Sequence, residues 1–154
     1  MARKIATNRT VKRDELVSFV QERHRGVLST TRIDGRPQMS LVTIGLDDEE
    51  RFLVATYPER VKTLNARRNP RASLLVMGDE FNSEWVQVNG TLEVLDLPEA
   101  LEPLCDYFRV ISGEHPDWVE YREAMIKQGK SLLRMSMESW SPISQGGFPA
   151  RLAD

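Results

Sequence analysis

The chain has 154 residues, a length that suits one domain with a hydrophobic core. Its 21 Lys and Arg residues nearly balance 23 Asp and Glu residues, and a formal net charge of -2 disfavours a general nucleic-acid or membrane-surface binder. The single cysteine, Cys105, excludes an internal disulfide, so we expect a reducing compartment. One cysteine and two histidines show no metal-ligand spacing, so we expect no metal site.

The N-terminal part of the chain predicts an arm followed by a helix. Residues 1–12 are polar and aperiodic, which predicts a flexible arm before a single domain over 13–154. Apolar residues at helical spacing predict a helix over about 14–24, and Gly26 ends it. Since no secretory signal and no apolar run of about 18 residues is evident, we expect a cytoplasmic protein without a membrane partner.

Short apolar and β-branched runs predict six strands. The first two flank the hairpin signal Asp34-Gly35, and a basic helix over about 59–68 separates the third from the fourth. Helices over about 98–111 and 116–128 precede the last strand. The predicted strands cover 26–33, 36–46, 51–56, 71–77, 84–95 and 131–143. Because hairpins join most of them, we expect a mainly β, α+β fold, a six-stranded antiparallel barrel with peripheral helices.

The main candidate site lies where the third strand meets the basic helix. Arg60 and Lys62 fall at the start of that helix, where free backbone N–H groups and the positive end of the helix dipole favour an anion. The alternative is a solvated basic face. Because Arg offers a planar fork and Lys a compact charge, the pair suits a terminal phosphate, with Thr63 and Asn65 as candidate neutral donors.

A second set of candidates lies on two of the predicted strands. Gln38 and Ser40 share one face of the second strand, where they either line a pocket or face solvent. Ala55 and Thr56 end the third strand, and their small side chains leave room for a flat ring. No set of nucleophile, base and orienting residue is evident, so we predict no catalytic residue and expect a cofactor to carry any reaction.

Three segments, in this order, resemble the flavin and deazaflavin split-barrel family named after pyridoxamine 5'-phosphate oxidase. They read GVLSTTRIDGRPQMS, ATYPERVKTLNARRNPRASLLV and WVQVNGTLEVL, and the likeness runs from about residue 14 to 143. The segment GEHPDWVEYREAM looks like the actinobacterial branch that uses coenzyme F420, a deazaflavin, in place of FMN. The resemblance implies a homodimer of six-stranded split barrels with the cofactor at the subunit interface.

The resemblance also implies roles for particular residues. Arg60 and Lys62 match the positions that hold the cofactor phosphate, and Thr63 and Asn65 match neighbours that complete that site. The strand that lies beside the cofactor ring is matched by Pro37, Gln38 and Ser40. F420 has an acidic tail, and the flanking basic residues that favour it are Arg36, Arg67 and Arg71.

The activity that the resemblance implies is an F420-dependent reductase, which transfers a hydride between reduced deazaflavin and a small conjugated acceptor. Two alternatives stay open: an FMN-binding flavoprotein such as a flavin reductase, and a non-catalytic carrier of a flavin, deazaflavin or tetrapyrrole. The oxidases hold their substrate phosphate with a C-terminal Arg-x-His segment. This sequence has no histidine after His115, which argues against vitamin B6 oxidation. A nucleic-acid partner is not expected at a pI of about 5.8.

Overall fold

The computed structural model describes residues 2–154, which form a mainly β fold with four α-helices and a short 3-10 helix at Ala150–Leu152. The helices are α1 (Arg13–Val20), α2 (Val61–Arg68), α3 (Leu101–Ser112) and α4 (Trp118–Gln128). The strands are β1 (Thr7–Arg9), β2 (Arg25–Thr31), β3 (Pro37–Thr43), β4 (Gly45–Leu46), β5 (Arg51–Thr56), β6 (Arg71–Met77), β7 (Trp85–Leu95), β8 (Ser131–Trp140) and β9 (Ile143–Gln145). None of the helices in this range is long and apolar enough to cross a membrane.

The main sheet is antiparallel and has the order β3-β2-β6-β7-β8-β5-β4. Its two end strands, β3 and β4, are consecutive in the chain and are separated by Ile44 alone. The sheet therefore curls so that its two edges approach each other, an arrangement consistent with a split barrel. Ile44 is buried, and its N–H donates to the His24 carbonyl at 2.8 Å, which fixes the point where the chain passes from one edge to the other.

Each of the six predicted strand segments contains a strand. The structure has nine strands among residues 2–154, so the predicted number of six is corrected. The segment 36–46 is divided at Ile44 because its two halves pair with different neighbours, β3 with β2 and β4 with β5. The segment 131–143 is interrupted near Pro142, which has no N–H to donate to a strand ladder. The chain then resumes as β9, and β1 is the third additional strand.

The predicted N-terminal arm contains β1, which pairs antiparallel with β9, Thr7 opposite Gln145. Ile5 adds a parallel bridge to Phe148. All three residues of β1 are exposed, and the pairing uses backbone groups, so no apolar periodicity indicated the strand. Residue 1 of the arm lies outside the described residues, and the flexibility of the arm stays a prediction.

The strand β5 is buried on both faces, which fixes the point where the candidate site begins. Phe52 and Val54 pack in a cluster inside the curled sheet, to which α1 contributes. Leu53 packs on the opposite side, in a second cluster formed with α3 and α4 that includes Cys105. Burial raises the pKa of the Cys105 thiol. Because two clusters hold β5, the turn that follows Thr56 starts from a rigid support.

Candidate functional site

The turn between β5 and α2 carries Arg60 and Lys62 at the positions that the sequence indicated. Arg60 is the N-cap residue of α2, and its carbonyl accepts from the N–H groups of Thr63 at 3.0 Å and Leu64 at 3.1 Å. The first turn of α2 contains no acidic residue. Two cations therefore stand at the end of the helix where the dipole is positive and backbone N–H groups lack helical partners.

The charges at this helix start are not compensated by the protein. Within residues 2–154, neither Arg60 nor Lys62 forms an ion pair with a carboxylate. Lys62 is half-buried, and desolvation, followed by the charges of Arg60 and Lys130, lowers the pKa of its ammonium from 10.5. A bound anion would offset both the desolvation of Lys62 and the repulsion from Arg60 and Lys130. The arrangement therefore favours an anionic ligand.

Tyr57 and Lys130 belong to the same surface, and sequence reasoning missed both. Lys130 Nζ lies 4.1 Å from the centroid of the Tyr57 ring, and Arg60 Cζ lies 5.5 Å from that centroid. Lys130 lies directly before β8, far along the chain, so no local pattern could have indicated it. We refer to Arg60, Lys62 and Lys130 as the cation cluster.

Thr63 and Thr56 are joined to each other inside the protein. The Thr63 hydroxyl donates to the Tyr57 carbonyl at 2.8 Å, so the Thr56 hydroxyl, 3.0 Å from Thr63 Oγ1, is the donor in their contact. Both residues are buried. These bonds fix the turn that presents Arg60, while the predicted role of Thr63 as a donor to phosphate stays a prediction.

Asn65, Gln38 and Ser40 are connected through Thr30, a residue that the sequence did not single out. Asn65 Nδ2 donates to Thr30 Oγ1 at 3.1 Å, and Thr30 Oγ1 donates to Gln38 Oε1 at 3.1 Å. Gln38 Nε2 in turn donates to Ser40 Oγ at 3.4 Å, and Arg68 donates to Asn65 Oδ1 at 2.9 Å. This chain of hydrogen bonds ties α2 to β2 and β3, so Asn65 has partners inside the protein.

The other predicted positions are divided between different faces. Gln38 and Ser40 share the half-buried face of β3, in agreement with their alternation, and Pro37 begins that strand at an exposed position. Ala55 packs against the cluster formed with α3 and α4. Thr56 points to the opposite side, because neighbouring strand residues alternate. That Ala55 and Thr56 leave room for a flat ring stays a prediction, with their side chains on opposite faces of β5.

Two of the three flanking arginines already have carboxylate partners. Arg36 pairs with Asp34 at 2.7 Å, and Arg67 pairs with Asp96 at 2.8 Å. Hydrogen bonds from Arg36 lower the pKa of Asp34, which keeps that carboxylate charged. Arg71 is exposed. The extra positive charge expected from these three arginines is thus mostly compensated within the protein, whereas that of the cation cluster is not.

Comparisons with known proteins show what the chain is similar to. The sequence family described as "Pyridoxamine 5'-phosphate oxidase" matches residues 13–144. A conserved hypothetical protein from Mycobacterium tuberculosis has a similar structure, with a TM-score of 0.73 and 22% identity over 91% of this chain and 89% of that chain. An F420 reductase is similar with a TM-score of 0.62 and 18% identity, over 81% of this chain and 94% of that chain. HutZ, the heme storage protein from Vibrio cholerae, has a TM-score of 0.66 and 19% identity, over 87% of this chain and 96% of that chain.

Proposed function

The chain belongs to the pyridoxamine 5'-phosphate oxidase family, and from that premise we propose that it is a reductase that uses coenzyme F420 to reduce a small conjugated acceptor. The observation that carries the proposal is the pair of uncompensated cations, Arg60 and Lys62, at the start of α2. The existence of an F420 reductase with this fold supports the choice of cofactor.

The proposed role of this pair is to hold the phosphate of the cofactor. Arg60 has a planar guanidinium that can donate to two phosphate oxygens at once, and Lys62 adds a compact charge. The free N–H groups of the first turn of α2 suit the same anion. The residues fit a phosphate because their positive charge has no carboxylate partner in the described part of the chain.

The proposed place of the cofactor ring is beside β3. The hydrogen bond from Thr30 orients the Gln38 amide, and the bond to Ser40 keeps the two polar side chains on one face. A deazaflavin supplies the hydride when it is bound. The part we assign to the protein is to hold the phosphate at one end and orient the ring at the other, and no residue is assigned as a catalytic acid or base.

A carrier without turnover is the second candidate. It is favoured by the similarity to HutZ, which is described as a heme storage protein. A carrier of a flavin, deazaflavin or tetrapyrrole needs the same anion-binding cations, because heme propionates and cofactor phosphates are both anionic. An FMN-dependent reductase would use the same site with a different ring. Because all of these candidates share the site, the ligand must be identified by binding measurements before activity is measured.

The test is a titration of the purified protein with F420, FMN and heme in separate experiments, followed by turnover with reduced F420. We expect micromolar binding of F420 and faster oxidation of reduced F420 when an enone or quinone is added. Binding of FMN without binding of F420 would show that FMN, and not F420, is the cofactor. Ligand binding with no turnover across a broad acceptor panel would favour the carrier, and binding of none of the three would contradict the proposal.

We also propose that the protein is a homodimer that buries the outer face of β3, β2 and β6. Leu41, Val27 and Leu75 form one row across these strands, and Leu41 is 85% exposed. Met39, on the same outer face of β3, is 63% exposed. An apolar sheet face of this kind is stabilised by burial against a partner. We expect a dimer in sedimentation velocity and a monomer for Leu41→Glu; a wild-type monomer at high concentration would disprove it.

A further inference from the structure

We propose that Lys130 is a third ligand-binding cation of the anion site, and that the site therefore takes a group with at least two negative charges near α2. This inference rests on the proposed function, because it concerns the same site. The chemistry it selects is a phosphate monoester, or a phosphate diester with a carboxylate close by, rather than a lone monoanion. FMN offers the first of these and F420 the second.

The backbone of Lys130 is held by the end of α4. Gly129 adopts the left-handed conformation, with a φ of 66°, and its N–H donates to the Ile126 carbonyl at 3.1 Å. The Lys130 N–H donates to the Met125 carbonyl at 3.2 Å. These two bonds form a Schellman motif, which ends the helix and fixes the direction of the chain after it. The position of Lys130 is therefore set by a rigid cap rather than by a loose loop.

The strand register then brings Lys130 to the β5–α2 turn. Thr56, the last residue of β5, pairs with Ser131, the first residue of β8. Lys130 precedes β8 and Tyr57 follows β5, so the antiparallel register places these two residues opposite each other. Two independent features, the helix cap and the strand pairing, thus place the backbone of Lys130 beside the turn that carries Arg60.

The contacts of Lys130 are those of a cation without a counter-charge. Its Nζ lies 4.1 Å from the centroid of the Tyr57 ring, which gives a cation–π contact but no charge compensation. From residue 2 to residue 154 no carboxylate pairs with it. Its charge also contributes to the lowered pKa of Lys62. Arg60 and Lys130 both act on Lys62, and a cluster of three cations is best compensated by a ligand with more than one negative charge.

The test compares Lys130→Gln with the matched control Lys127→Gln. Lys127 lies in the last turn of the same helix, but its side chain is exposed. Each protein is titrated with F420, FMN, riboflavin and inorganic pyrophosphate, because riboflavin has the ring of FMN without its phosphate. We expect Lys130→Gln to weaken binding of the phosphate-bearing cofactor about fivefold at low salt and to leave any riboflavin binding unchanged. Lys127→Gln should match the wild type with every ligand.

The thermal stability of the ligand-free protein separates a binding role from a structural one. If Lys130 serves the anion, its replacement removes repulsion from Lys62, so Lys130→Gln should unfold at the same temperature as the wild type or higher. If Lys130 only supports the fold, the variant should unfold at a lower temperature, and it should lose affinity for riboflavin as well. Either of those results, or an unchanged affinity for the phosphate-bearing cofactor, would overturn the inference.

The pyrophosphate measurement keeps this inference distinct from the proposed function. If the wild type binds neither F420 nor FMN, the proposed function fails, and Lys130 is judged by pyrophosphate alone. A stabilisation by pyrophosphate that is reduced in Lys130→Gln would still support the three-cation site. If the wild type binds a cofactor and Lys130→Gln binds it equally well, the inference on Lys130 fails while the proposed function stands.

Discussion

The β5–α2 turn and the region between α3 and α4 both bring cations against an aromatic ring, but they differ in where the compensating negative charge comes from. Between α3 and α4, Arg109 Cζ lies 4.6 Å from the centroid of Trp118. The same guanidinium pairs with Glu114 at 2.8 Å and with Asp106 at 3.1 Å. Glu114 also accepts from the Trp118 indole N–H at 2.9 Å. The charge of Arg109 is thus compensated inside the fold.

At the β5–α2 turn, the aromatic ring is Tyr57 and the cations around it are Arg60 and Lys130. The described residues provide no carboxylate partner for either cation. A cation over an aromatic ring is therefore not by itself a sign of ligand binding. What marks the turn as a site is the missing counter-charge, together with partial burial of Lys62.

The largest effect is expected when the uncompensated pair is removed. Arg60→Ala with Lys62→Ala should weaken cofactor binding about 100-fold, since each charge-assisted contact contributes roughly 1.4 kcal/mol, about tenfold in affinity. Lys62→Ala alone should weaken binding at least about tenfold. Isothermal titration of the folded variants measures both. Arg109→Ala, from the compensated region, is the control and should bind like the wild type. An unchanged affinity in the double variant would support the alternative that Arg60 and Lys62 form a solvated basic face.

A smaller effect is expected when the site is given the counter-charge that it lacks. Gln128 accepts a hydrogen bond from the Tyr57 hydroxyl at 3.2 Å, so Gln128→Glu places a carboxylate beside the cation cluster. We expect affinity for the cofactor to fall about fivefold at low salt and less at high salt. Glu114→Gln makes the opposite change in the compensated region and should leave affinity unchanged. Equal affinities for Gln128→Glu and the wild type would show that the missing counter-charge is not what attracts the ligand.

The smallest effect concerns the pH dependence of stability without ligand. The pKa of Lys62 is lowered in the folded protein, whereas the ordinary value is 10.5. Between the lowered pKa and 10.5, the unfolded chain binds more protons than the folded one, so the free energy of unfolding contributed by Lys62 rises with pH.

Urea unfolding at a series of pH values in this range should therefore show a steeper rise for the wild type than for Lys62→Met. Pyrophosphate should remove the difference, because a bound anion stabilises the charged ammonium. The comparison of the two proteins cancels contributions from other lysines and tyrosines. Identical pH dependence in both proteins would mean that burial and neighbouring cations do not act on Lys62.

Local sequence patterns were enough to predict several parts of this protein. Apolar and β-branched runs indicated every long strand, and the basic residues after RFLVAT indicated the start of α2 with Arg60 and Lys62. Alternation along β3 correctly put Gln38 and Ser40 on one face. These features depend on neighbours within a few residues, so periodicity and helix-start chemistry were sufficient to predict them.

Which charges are compensated, and which distant residues meet, could not be predicted from local patterns. Arg36 and Arg67 were expected to widen the basic site, but carboxylates pair with both. The Thr63 hydroxyl is bonded to the Tyr57 carbonyl inside the turn, a partner that no local pattern indicated. Lys130 reaches Tyr57 through the pairing of β5 with β8. Compensation of a charge depends on distances in space, and strand register sets those distances between segments that no local pattern connects.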